Sequence, residues 1–98
     1  MSLDQLRCFV AVADSGTTHA AALRLHVSQP PLSRQIRALE AELGVDLFVR
    51  TSRGMRLRPE GERLLPRARA ILSAVDAAVR EARDFAFGPD EPGSETRR

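Results

Sequence analysis

The sequence predicts a mainly α-helical domain with three short helices, a short β-hairpin and one long C-terminal helix. Three observations predict this fold class. Apolar residues recur at three- and four-residue spacing in the first half of the chain, which is the period of an amphipathic helix. The turn-forming residues 51–54 precede alternating apolar and basic residues at 55–58, which indicates a hairpin. After Pro59, a helical pattern continues until Gly88-Pro89 interrupts it.

The length and the charge distribution restrict the class of protein. The 98 residues correspond to one small domain. Between residues 24 and 58, seven arginines stand against three acids, and such a concentration of positive charge is expected for an anionic partner. The chain has no lysine, so every basic side chain carries a planar guanidinium.

Residue types that catalysis or cofactor binding requires are sparse. The single cysteine, Cys8, excludes a disulfide within the chain, and we expect it to pack as a small apolar residue in the first helix. The two histidines and Cys8 lack the spacing of a metal site. We therefore expect no enzyme, no cofactor and no metal. No apolar run reaches the roughly 18 residues of a membrane-spanning helix, and no signal peptide is recognised, so we expect a cytoplasmic protein with no membrane partner.

The first two helices are short and are followed by a turn. Apolar residues at helical spacing predict a first helix that ends near Gly16; they are Leu3, Leu6, Phe9, Val10 and Ala13. Thr17 is the predicted N-cap of a second helix through about Leu25. His26, Val27 and Ser28 form the predicted turn.

The third helix ends before Gly44 and has two different faces. The apolar face contains Leu32, Ile36, Leu39 and Leu43. The other face contains Gln29, Ser33, Arg34 and Arg37, with no acid among them. Arginine pairs with guanine and glutamine with adenine through two hydrogen bonds each, so this helix suits the DNA major groove. From this face alone, an ordinary amphipathic surface helix is an equally good interpretation.

The start of the third helix is unusual. If Ser28 were an ordinary N-cap, Pro30 and Pro31 would occupy positions where an N–H should meet the serine hydroxyl, and proline has none. We therefore expect the Ser28 hydroxyl to make no cap and to be available to a phosphate. Proline is tolerated here because the amides of a first helical turn have no partner within the helix.

The long helix, predicted from Pro59 to about Phe87, carries two apolar stripes. The first stripe contains Leu65, Ala68, Leu72, Val75, Val79, Ala82 and Ala86, and the second contains Leu64, Ile71, Ala74, Ala78 and Phe85. We predict a homodimer interface along the first stripe, from Leu65 to Ala82. A chain this short has little else to cover both apolar stripes. The alternative is one wide face that is buried within a single chain. Residues 88–98 are polar and predict a disordered tail.

Taken together, these features resemble the LysR-type transcriptional regulators, over about residues 2 to 87. The matching residues are Leu6, Phe9, Ala13, Ala21-Ala22, Leu25-His26-Val27-Ser28-Gln29-Pro30, Leu32-Ser33, Ile36, Leu39-Glu40, Leu43-Gly44, Leu47-Phe48, Arg50, Gly54, Leu57 and Gly61. The resemblance implies a winged helix-turn-helix in residues 1–58 and a dimerising linker helix in residues 59–87. Thr18 departs from the family pattern, which usually has an aromatic residue there.

The resemblance also implies roles for individual residues. The residues expected to face the bases of the major groove are Gln29, Pro30, Pro31 and Arg34. Those expected at the DNA backbone are Ser28, Ser33, Arg37 and Arg50. Arg53, at the tip of the hairpin, would reach the adjacent minor groove, where a narrow A/T-rich segment attracts arginine.

We therefore predict the DNA-binding domain of a bacterial LysR-type regulator, which binds a double-stranded operator as a homodimer. Members of this family carry a larger C-terminal domain that binds a small-molecule inducer. We expect that domain, and with it the site for an inducer, to be absent from this chain. A full-length protein that carries the domain can also form a higher oligomer. The alternative is a protein-interaction module that uses the long helix and binds no specific DNA. A salt titration separates the two, because binding to nucleic acid weakens steeply with salt.

Overall fold

The computed structural model describes residues 1–87, which form four α-helices and one antiparallel β-hairpin. The helices are α1 (Leu3–Ser15), α2 (Thr18–Leu25), α3 (Gln29–Leu43) and α4 (Pro59–Phe87), and the strands are β1 (Phe48–Thr51) and β2 (Gly54–Leu57). The elements follow the predicted order. The predicted disordered tail lies outside the described residues, and the division into domains at residue 58 stays a prediction.

Local signals in the sequence fix the ends of the helices. Ser2 and Gln5 form a capping box at the start of α1, in which each side chain accepts the other residue's backbone N–H. Thr17 caps α2, as predicted, because its hydroxyl accepts the N–H of the residue three positions later at 3.0 Å. Gly44 ends α3 with a φ of 75°, a left-handed conformation that glycine adopts without steric cost.

The hydrophobic core forms where α1 packs against α2, α3, α4 and β2. The largest fully buried side chains are Phe9, Leu6, Leu32, Ile36, Leu39, Leu47 and Val12. The rings of Phe9 and Phe48 are tilted by 54° with centroids 5.5 Å apart, a favourable aromatic geometry. Cys8 is buried, as predicted, and burial raises the pKa of its thiol.

One residue of the predicted apolar face of α3 is not in the core. Leu43 is 38% exposed. It is the last residue of α3, directly before Gly44 turns the chain away, so the helix does not carry it against α1. The buried face of α3 therefore consists of Leu32, Ile36 and Leu39.

The hairpin packs on the turn between α1 and α2. The Met55 N–H donates to the Gly16 carbonyl at 2.8 Å. Gly54 has a φ of 132°, and a Cβ there would come closer than 3.0 Å to the same carbonyl oxygen. This close backbone approach fixes the position of the hairpin relative to α1.

The N-terminal part of α4 packs on the head, which we define as α1, α2, α3 and the hairpin. Gly61 is buried, and Ala68 is 0% exposed within the core. Leu64, Leu65 and Leu72 are partly buried against the same core. Among residues 1–87, no helix combines the length and the apolar character needed to cross a membrane.

Candidate nucleic-acid interface

The residues predicted to face DNA bases lie together at the N-terminal end of α3. All four are exposed: Gln29, Pro30, Pro31 and Arg34. Leu32 and Ile36 are 1% and 0% exposed and anchor the helix in the core. Burial of this apolar face fixes the rotation of α3 about its axis, so that the polar face points to solvent.

Ser28 precedes α3 with an extended backbone and a φ of −80°. As predicted, its side chain makes no capping hydrogen bond, because proline residues occupy the first turn. The residue is exposed. Its contact with a phosphate stays a prediction.

Gln29 has a partner that the sequence pattern did not indicate. Its Nε2 donates to the Thr18 Oγ1 at 2.7 Å, over a separation of 11 residues. Thr18 is the first residue of α2 and Gln29 is the first residue of α3. The bond therefore connects the N-terminal ends of the two helices of the helix-turn-helix.

Most of the positive charge around α3 and the hairpin is not neutralised within the described residues. Of the seven arginines between residues 24 and 58, Arg24 pairs with Asp14 at 3.4 Å and Arg58 pairs with Glu60 at 3.5 Å. The other five are exposed and have no ion-pair partner in residues 1–87; they are Arg34, Arg37, Arg50, Arg53 and Arg56. This surface is available to an anion.

Arg37 and Arg50 line one open groove between α3 and the hairpin, with a volume of about 880 Å³. Both were predicted as backbone contacts from separate parts of the sequence. Ser33, another residue predicted to contact the DNA backbone, is half-buried on α3. The tertiary structure thus brings a guanidinium of α3 and one of β1 to the same concave surface.

Glu40 has a structural role that the sequence analysis did not find. Its Oε2 accepts the backbone N–H groups of Leu47 and Phe48 at 2.8 and 3.3 Å. The carboxylate thereby satisfies two donors at the start of β1 and holds the hairpin against α3. Its partners lie seven and eight residues away, beyond the end of α3, so helical periodicity contains no signal for them.

Arg53 lies at the tip of the hairpin, as predicted. Thr51 and Gly54 are the last paired residues, which leaves Ser52 and Arg53 as the turn. The Thr51 hydroxyl accepts the Arg53 N–H at 3.1 Å and donates to the Gly54 carbonyl at 3.0 Å. The backbone of the tip is thus fixed while the Arg53 side chain is exposed.

The predicted dimer stripe on α4 divides into two parts. Leu65 and Leu72 pack against the head, and Ala68 is fully buried there. Ala68, which was predicted to lie in a dimer interface, is covered by the chain's own core, and the dimer interface itself stays a prediction. Farther along α4, Val75 is half-buried and Val79 and Ala82 are exposed.

An ion-pair cluster connects α4 to the head. The Asp14 carboxylate of α1 accepts hydrogen bonds from Arg69 Nη2 at 2.6 Å and Nη1 at 3.2 Å, and from Arg24 Nη1 at 3.4 Å. The hydrogen bonds with Arg69 are the main reason why the pKa of Asp14 is lowered, and Arg24 adds to the effect. No sequence motif indicated this cluster.

The elements and the exposed basic surface correspond to a known family of proteins. The family model described as "Bacterial regulatory helix-turn-helix protein, lysR family" matches residues 3–62. The chain belongs to the lysR family. The predicted fold, a winged helix-turn-helix followed by a long helix, is confirmed by the structure and by the solved structures of this family that it resembles.

Curated members of the lysR family are similar to the chain over most of its length. The HTH-type transcriptional regulator TfdT of Cupriavidus pinatubonensis is 47% identical over 90% of this chain and 39% of TfdT. The small neutral protease regulatory protein of Streptomyces coelicolor is 44% identical over 92% of this chain and 26% of that protein. The chain thus spans well under half the length of these relatives.

Solved DNA-binding domains of the family match the chain almost completely. The domain in the CbnR_DBD–DNA complex has a TM-score of 0.82 and 48% identity, over 88% of this chain and 99% of that one. The domain in the BenM_DBD/catB site 1 DNA complex has a TM-score of 0.85 and 44% identity, over 90% and 99%. Both similar structures contain DNA.

Proposed function

We propose that the chain is the sequence-specific DNA-binding domain of a bacterial transcriptional regulator and binds a double-stranded operator as a homodimer. The observation that carries this proposal is the set of five exposed arginines on α3 and the hairpin without ion-pair partners in the described residues. The DNA complexes of the similar CbnR and BenM domains support it. The role is regulatory rather than catalytic, and the protein acts in the cytoplasm.

In this proposal, the N-terminal end of α3 enters the major groove. Arg34 donates two hydrogen bonds to a guanine, and Gln29 pairs with an adenine. Pro30 and Pro31 approach the base edges without offering a donor. The residues that hold the DNA backbone are Ser28, Ser33, Arg37 and Arg50, because phosphate contacts fix the register of the protein on the duplex.

The hairpin follows the DNA beside α3 and places Arg53 at the adjacent minor groove. Arginine is favoured there where the groove is narrow and its negative potential is concentrated. Arg53 thus reads the shape of the groove rather than base edges. In a dimer the two hairpins extend the contacted DNA beyond the segments that the two α3 helices read.

The experiment that tests this function is a titration with operator DNA that is first selected from random duplexes. We expect the affinity to fall steeply with salt, because phosphate contacts release counterions. Arg34→Ala should cost about 1–3 kcal/mol on the selected operator and remove the preference at one base pair. Arg80→Ala on α4 removes the same charge away from the proposed interface and should change little.

Three results would contradict this proposal. An affinity that does not depend on salt would favour the protein-interaction module. A failure to select any sequence would exclude specific recognition. An equal loss of affinity by Arg34→Ala on operator and random DNA would leave Arg34 as a phosphate contact only.

A further inference from the structure

Two adjacent threonines at the start of α2 form different hydrogen bonds. The Thr17 hydroxyl caps the helix by accepting the Ala20 N–H at 3.0 Å. The hydroxyl of Thr18, the first residue of α2, therefore has no part in capping the helix. That hydroxyl instead accepts a hydrogen bond from the Gln29 Nε2 at 2.7 Å.

This bond changes what Gln29 presents to a ligand. A glutamine amide has two N–H donors and one carbonyl oxygen. Thr18 uses one N–H, and the second N–H and the carbonyl oxygen remain. The major-groove edge of adenine offers N7 as an acceptor and the N6 amino group as a donor. The two groups that remain on Gln29 are thus the complement of adenine.

The bond contributes more to the orientation of Gln29 than to the stability of the fold. Gln29 is exposed, whereas Thr18 is half-buried, and a hydrogen bond at such a surface adds little net stability because water competes for both partners. A glutamine side chain that is not restrained loses rotamer freedom when it binds a base. A side chain that is already oriented loses less.

We propose that Thr18 is a positioning residue that sets the base preference of Gln29. Its hydroxyl orients the amide so that Gln29 presents one N–H and its carbonyl oxygen to adenine. Thr18 acts through Gln29 and does not itself touch the base. This inference rests on the proposed function, since it concerns how α3 reads its operator.

The test compares variants of Thr18 on operators that differ at one base pair. That base pair is the one whose preference Gln29→Ala removes. Thr18→Val keeps the shape of the side chain without the hydroxyl and should lower the preference for A·T at this position by about two- to tenfold, the range expected for one hydrogen bond. Thr18→Ser retains the hydroxyl and should keep the preference. Thr18→Ala should behave like Thr18→Val, which excludes an effect of the valine methyl groups.

A double-mutant cycle provides the decisive measurement. In the Gln29→Ala background, Thr18→Val should have no further effect on base preference. If it does, or if Thr18→Val lowers affinity equally on all sequences, Thr18 is a phosphate contact or a structural residue and the inference is wrong. An unchanged preference for A·T in Thr18→Val would overturn this inference but would leave the proposed function standing. A wild-type chain that binds every sequence equally overturns the proposed function together with it.

Discussion

At the scale of single residues, the backbone of Leu47 determines where the hairpin lies. Its N–H donates to Glu40, and its carbonyl accepts the Arg58 N–H at 2.9 Å. The same carbonyl approaches Gly61 of α4 so closely that a Cβ there would lie within 3.0 Å of it. The position of the hairpin, with Arg53 at its tip, thus depends on contacts of Leu47 with α3, α4 and the end of β2.

Gly61 offers a test of this packing. Glycine to alanine within a helix ordinarily stabilises by about 1 kcal/mol. We expect Gly61→Ala to destabilise instead by about 2 kcal/mol, because the new Cβ would overlap the Leu47 carbonyl and the Leu57 Cδ2. Urea denaturation measures the change. As a control, Ala70→Gly at an exposed position of α4 should show the ordinary helical difference, and a Gly61→Ala chain that is more stable than wild type would contradict the prediction.

At the scale of secondary-structure elements, Asp14 connects three helices. It lies in the last turn of α1, where the helix dipole disfavours a negative charge. Arg69 of α4 offsets this cost with two hydrogen bonds to the carboxylate, and Arg24 of α2 adds a third. Asp14 therefore contributes to the angle between α4 and the head rather than to the stability of α1 itself.

The lowered pKa of Asp14 predicts how this connection depends on pH. Because the folded-state pKa lies below the ordinary value of 3.8, the contribution to stability is present above that value and is lost as the pH falls through the folded-state pKa. Asp14→Asn should lower the free energy of unfolding at neutral pH by at most about 1 kcal/mol, since solvent screens a partly exposed pair. This difference should shrink as the pH falls below 3.8 and through the folded-state pKa.

Denaturation of both chains across this pH range checks the prediction. Asp76→Asn is the matched control, because Asp76 is exposed and has no ion pair within residues 1–87. It should leave stability nearly unchanged at neutral pH. A difference between wild type and Asp14→Asn that is the same at pH 2 and pH 7 would mean that the ion pairs do not cause it.

At the scale of the whole molecule, α4 has 29 residues and is about 43 Å long at 1.5 Å per residue. Its first turns pack on the head as far as Leu72. Beyond Leu72, Val79 and Phe85 are 42% and 57% exposed. Ile71, directly before Leu72, is also 42% exposed. An apolar strip of this kind on a long helix is typical of an interface between helices.

The proposed homodimer can be disrupted without disturbing the head. Leu72 is unsuitable because it packs against the core. Val79→Glu combined with Ala82→Glu, both exposed on the first stripe, should give monomers in analytical ultracentrifugation and weaken operator binding, because each charge would be buried in an apolar interface. Ala70→Glu combined with Ser73→Glu adds the same charge on the opposite face of α4 and should leave the dimer intact. A wild-type chain that sediments as a monomer at micromolar concentration would contradict this prediction.

The sequence by itself determined the order of the elements and most of their ends. The signals for helix ends are local, because Thr17, Gly44 and Pro59 start or stop a helix through residues next to them. Apolar spacing is local too, because it is a property of a single helix. The polar face of α3 and the tip of the hairpin were also visible in local patterns, while the roles of the individual residues at DNA came from the resemblance to a known family. The contacts of this candidate interface with DNA stay predictions.

Only the tertiary structure decided which side chains meet across elements. Gln29 donates a hydrogen bond to Thr18 across a separation of 11 residues, and Asp14 accepts one from Arg69 across a separation of 55. Packing also decided that Ala68 belongs to the chain's own core while Val79 stays exposed. Apolar spacing predicts that a face of α4 is covered, but what covers it depends on how α1 and α4 pack, and that arrangement results from all the buried contacts together.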